Sequence, residues 1–208
     1  MEQETLQKET TALIEEGLEK AMGYNDYRSL MATLALEGKS TGKNQNEELA
    51  NYTLLNERRM KRLDKTIKVD ADTETKIKDF DKKVTWLVLT ESWCGDAAQT
   101  IPVMNKLAVL NDHISLKLLL RDENVELMQR FLSNGAKAIP KLIAVDGDTT
   151  EVIGEWGSRP TAAAKMVMEE KANFGRLRPE FKQTLQQWYN KDKGQNTIKD
   201  LLSMLFLK

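Results

Sequence analysis

The sequence predicts a mixed α/β protein, a central sheet flanked by helices with helical extensions at both ends. Three observations carry this. Between residues 85 and 155, short apolar runs of β character alternate with helix-like stretches. The turn Asp146-Gly147-Asp148 joins the last two runs as a hairpin. Amphipathic patterns of helical period fill residues 1–66 and 173–208.

In the first third, Leu6, Leu13, Ile14, Leu18 and Met22 mark one helix, which Gly23 stops. Asn25 or Asp26 caps a second helix through Tyr27, Leu30, Met31 and Leu34. Residues 38–46 are a polar break. A third helix follows, with Leu49, Tyr52, Leu55, Met60 and Leu63 as its apolar stripe. Its basic run, Arg58, Arg59, Lys61, Arg62 and Lys65, reads as a solvated face.

Strands are expected at Thr85–Glu91, Ser115–Leu120, Lys141–Val145 and Glu151–Glu155. Helices at Asp96–Asn111 and Asn124–Leu132 separate the first three, so parallel pairing is expected among them. Ser158-Arg159-Pro160 starts a helix with Val167 and Met168 inward. Arg178-Pro179 starts another, with Phe181, Leu185 and Trp188. After Gly194 comes a last helix with Ile198, Leu201, Leu202, Leu205 and Phe206.

Composition excludes several classes. The 208 residues carry 31 basic and 32 acidic side chains, a net charge of -1, so no global field favours nucleic acid or membrane surfaces. Apolar runs such as Trp86-Leu87-Val88-Leu89 fall far short of the about 20 residues of a membrane helix. The start, Met1-Glu2-Gln3-Glu4, has no basic region or apolar core of a secretory signal, so a cytoplasmic location is expected. The single cysteine, Cys94, forbids an internal disulfide or a cysteine-based zinc cluster. With one histidine, His113, read as a turn residue, neither metal nor cofactor is expected.

The chemistry concentrates at Trp93-Cys94-Gly95-Asp96-Ala97, between a strand and a helix. A cysteine at a helix N-terminus meets free N–H groups and the positive end of the dipole, which favour the thiolate. The thiolate is the nucleophile of sulfur exchange. Asp96 opposes this, because a neighbouring negative charge disfavours a second one.

This segment, with Pro102 eight residues after Cys94 and Ile139-Pro140 opening a later strand, resembles the active site of thioredoxin-fold proteins. The resemblance spans about residues 67–172. Cys-Gly-Asp-Ala followed by Trp156-Gly157-Ser158-Arg159-Pro160 is similar to a bacterial thioredoxin-like branch with helical extensions. It implies a thioredoxin-like fold of three parts: an N-terminal helical extension (1–66), the thioredoxin-like domain (67–172) and a C-terminal helical extension (173–208). It also implies a cis bond before Pro140, with the Ile139 backbone free to pair with an extended substrate. Trp93 would be a platform beside the cysteine, and Gly95, Ile139, Pro140, Lys141 and Arg159 would border the substrate groove.

Three departures bear on function. Ala97 stands where the family has its second cysteine, so the resolving thiol is missing. Val88 replaces the usual buried aspartate, and Asp96 replaces the usual proline. Lys141 or Arg159 could lower the Cys94 pKa if either lay within about 4–6 Å. The leading expectation is monothiol exchange: Cys94 attacks a protein disulfide or a glutathione mixed disulfide, and an external thiol resolves it. The alternative is a binding module that keeps the groove and has lost redox cycling. A glutathione-transferase-like enzyme fits poorly, because the larger helical block precedes the fold unit. A homodimer through the end helices is compatible with the sequence but not required.

Overall fold

The structure is a computed structural model that describes residues 2–206. Its four strands are β1 (Val84–Thr90), β2 (Ile114–Leu120), β3 (Lys141–Asp146) and β4 (Val152–Gly157), in sheet order β2-β1-β3-β4. The helices before the sheet are α1 (Glu2–Lys20), α2 (Tyr24–Glu37), α3 (Glu47–Thr66) and α4 (Ala71–Lys78). Within it lie α5 (Gly95–Ala108) and α6 (Val125–Arg130), and after it α7 (Thr161–Phe174), α8 (Pro179–Asp192) and α9 (Gln195–Phe206).

β1 is central, and all of it but Thr85 is buried, which explains its near-continuous apolar run. β1 pairs with β2 in parallel, but β3 runs antiparallel to β1, against the parallel expectation. The chain enters β3 near the end where it left β2: Leu120 closes β2 opposite Thr90, and Lys141 opens β3 opposite Leu89. The expected hairpin then pairs β3 with β4.

Register assigns the two faces. Leu87, Ile143 and Glu155 pair across one face, and Trp86, Ala144 and Gly154 across the other. Gly17 of α1 sits so close to the first face that a Cβ there would lie 3.0 Å from Leu119 and 3.6 Å from Leu87. Met204 of α9 covers the second face at Gly154. α5 packs against both α9 and α3. The result is three layers, with the core on both sides of the sheet.

Local differences from expectation have local causes. Met22 exchanges two 2.8 Å backbone hydrogen bonds with Leu118, covering the exposed edge of β2. Pinned there, the chain enters α2 directly with Gly23 at the N-cap, and Asn25 and Asp26 fall inside the first turn. The buried stripe of α3 is Thr53, Asn56, Met60 and Leu63, while Leu55 is exposed. α4 is short and buries only Thr73 and Ile77, too little to register as a periodic pattern. The inward residues of α7 are Ala163, Val167 and Glu170, and Met168 is exposed.

Candidate functional site

Cys94 is the N-cap of α5 and is almost fully buried. Its Sγ accepts the Ala97 N–H at 3.4 Å and donates to the Ile139 carbonyl at 3.3 Å. The Ile139–Pro140 peptide is cis. Burial, reinforced by the Asp96 charge, pushes the thiol up to about 12, and the N–H groups at the helix start and Arg159 only partly oppose this. Donation to a carbonyl adds to the preference, because only the protonated sulfur can donate.

Asp96, in the first turn of α5, is held from two sides. Arg159 Nη2 lies 2.6 Å from its Oδ2, and the Tyr189 hydroxyl of α8 donates to Oδ1 at 2.9 Å. Burial raises the carboxyl above its ordinary range, against the pull of Arg159, Tyr189 and Arg59. Arg159 thus reaches the site, but as the partner of Asp96. Lys141 does not reach it. Strand alternation directs its side chain to the face shared with Leu89 and Ile143, where its ammonium pairs with Glu155 at 2.7 Å.

The loop before the cysteine is clamped by a polar network that the sequence reading missed. Thr41 N–H donates to Ser92 Oγ at 2.9 Å, and Ser92 N–H donates to Thr41 Oγ1 at 2.9 Å. Asn56 Nδ2 donates to the Ser92 carbonyl at 2.9 Å, and Thr53 Oγ1 meets Ser92 Oγ at 2.8 Å. Glu91 is fully buried and accepts from the Thr41 hydroxyl and from the Asp122 N–H. Burial raises its carboxyl too. One sequence signal was available: Thr53 and Asn56 are polar residues on the inner stripe of α3.

A cleft of about 450 Å³ opens over Cys94. Trp93, Gly95, Asp96, Ile139 and Arg159 line it, whereas Pro140 and Lys141 do not. The extensions add walls, with Tyr52 and Arg59 from α3 and Lys182, Gln186 and Tyr189 from α8. Arg121 lies 5.0 Å above the Trp93 ring, a cation–π contact. Arg59, read as part of a solvated face, is therefore a cleft residue, while its neighbours Arg58, Lys61, Arg62 and Lys65 are exposed. His113 lies in an exposed turn. Among the described residues, no cluster of side chains suits a metal, and no helix is long and apolar enough to cross a membrane.

Comparisons with known proteins bear on the family and the fold. The thioredoxin family description Thioredoxin_9 matches residues 42–173. No curated protein matches the chain by sequence. Among solved structures, a Pseudomonas aeruginosa protein of unknown function is similar at a TM-score of 0.54 and 19% identity, covering 75% of this chain and 84% of its own. An HIV epitope scaffold is similar at a TM-score of 0.56 and 16% identity, covering 88% of this chain and 98% of its own. At such identities these structures speak to the fold alone. With the family match covering more than half its length, the chain belongs to the thioredoxin family.

Proposed function

We propose that this protein uses its thioredoxin groove to bind a ligand beside Cys94, without the dithiol–disulfide cycle. The observation that carries this reading is the state of the thiol, which is buried, hydrogen-bonded to the Ile139 carbonyl and pushed up to about 12. The cations that could have stabilised a thiolate are engaged elsewhere, Arg159 by Asp96 and Lys141 by Glu155. Ala97 leaves no resolving thiol in the chain. Trp93, Gly95 and Ile139 present the binding surface, and Asp96 and Arg159 hold its shape. Residues 67–172 carry the groove, while the extensions 1–66 and 173–208 wall it in.

A second reading, monothiol exchange, draws support from the Ala97 N–H aimed at Sγ and from the opening of the cysteine onto the cleft. In that chemistry the Cys94 thiolate attacks one sulfur of a protein disulfide or glutathione mixed disulfide. The S–S bond breaks, a Cys94–S–S–R bond forms, and the other sulfur leaves as a thiolate that takes up a proton. An external thiolate then attacks the R sulfur, joins it as a new disulfide and releases Cys94.

The deciding experiment is the pH profile of iodoacetamide alkylation, read by intact mass. The binding reading expects slow modification at pH 7 and a midpoint well above the free-thiol value of about 8.5. Fast modification with a midpoint below that value overturns it in favour of exchange. Cys94→Ser would then abolish thiol-dependent turnover with glutathione mixed disulfides.

A further inference from the structure

Three cations on the cleft wall form no direct ion pair among the described residues, although Arg59 feels the Asp96 charge. Arg59 reaches over the start of α5, and a Cβ built on Gly95 would lie 3.4 Å from its Nη1. Its guanidinium bonds the neutral Asn56 side chain at 3.0 Å and forms no ion pair. Lys137 and Lys182 are exposed and also unpaired. The other two cations lining the cleft are neutralised, Arg121 by Asp122 at 2.7 Å and Arg159 by Asp96 at 2.6 Å. Asp96 is the one carboxylate lining the cleft, and Arg159 and Tyr189 already occupy it. In a chain of net charge -1, this leaves a local positive excess facing an open cavity.

We infer that the cleft over Cys94 takes a carboxylate-bearing ligand, whose anionic groups lie against Arg59, Lys137 and Lys182. This rests on the groove-binding reading and specifies its ligand. The three cations come from separate elements: α3, the segment before β3, and α8. Trp93 and Tyr52 add flat aromatic surface to the lining. The ligand could be a small polycarboxylate or an acidic peptide segment, which share this chemistry.

The test uses the full-length Cys94→Ser variant, so that no sulfur exchange contributes. Three kinds of probe are titrated while the Gly95 and Lys137 amides are followed by NMR. They are glutathione disulfide, a blocked six-residue Asp/Ser peptide, and its Gly/Ser and Lys/Ser counterparts. At least one acidic probe is expected to bind on the order of tenfold tighter than the neutral peptide. The preference should shrink between about 20 mM and about 300 mM salt as screening grows. It should largely vanish in a Lys137→Gln/Lys182→Gln background, where both changes are at exposed positions that leave the fold intact. Binding of glutathione disulfide alone identifies a small ligand, and binding of the acidic peptide alone identifies a protein segment. Equal binding of neutral and acidic probes, or a preference unchanged in the double variant, overturns the charge assignment and leaves groove binding standing. If no probe shifts those amides, both fall.

Discussion

Cys94 shows how a residue's surroundings override its position. The N-cap location and the helix dipole favour a thiolate, yet burial and Asp96 win. The consequence for stability has a definite sign. Folding raises the thiol from 9.0 to about 12, so the folded state favours the proton. That contribution is complete below about pH 9 and is lost as pH rises from there toward 12. Cys94→Ala removes it. Between pH 8 and pH 10.5 the native chain should lose on the order of 2 kcal/mol relative to Cys94→Ala, measured by urea denaturation of both. Parallel pH profiles would show that burial has not raised the thiol. Lys141 teaches the same lesson from the other side. Next to Pro140 in sequence, it is turned away from the cleft by strand alternation.

At the scale of elements, two junctions build the site. The first is the end of β4 beside the Ile139–Pro140 segment. Gly157 has a φ of 131°, and a Cβ there would stand 2.2 Å from the Pro140 carbonyl oxygen. Neither the backbone conformation nor the contact admits a side chain. Gly157→Ala is expected to cost roughly 3 kcal/mol or more, seen as a large drop in the urea midpoint. A cost below about 1 kcal/mol would mean that the strand end adjusts freely. The second junction is α8 against the start of α5. α8 buries only Phe181 and Tyr189 fully, and reaches the body through Tyr189–Asp96, Gln186–Gln99 and Asn190–Arg62 bonds. Its amides should therefore exchange with deuterium before those of β1 and β3. Tyr189→Phe should speed α8 exchange further with little effect on the sheet. Uniform protection across the chain would contradict this.

For the molecule as a whole, helices on both sides of the sheet in sequence contribute to the cleft. α3 supplies Asn56 to the loop before Cys94 and Arg59 to the cleft wall, and α8 supplies Tyr189 and Lys182. The cleft over Cys94 is thus walled by helices that precede and follow the sheet. The charge test therefore places its substitutions at Lys137 and Lys182, outside the Cys94 motif.

The sequence by itself determined the fold class, the four strands, the hairpin and the position of the cysteine at a helix start. These follow from local periodicity, turn chemistry and short motifs, which nearby residues fix. The direction of β3 was beyond it, because that depends on where the whole connection after β2 delivers the chain, which no local pattern records. So were the thiol's protonation and the partners of Lys141, Arg159 and Arg59. Those rest on burial and on charges from segments tens of residues apart, such as Asp96 with Tyr189 or Ser92 with Thr41. Only the packed tertiary structure brings such groups within hydrogen-bonding distance and removes the water that would otherwise screen them.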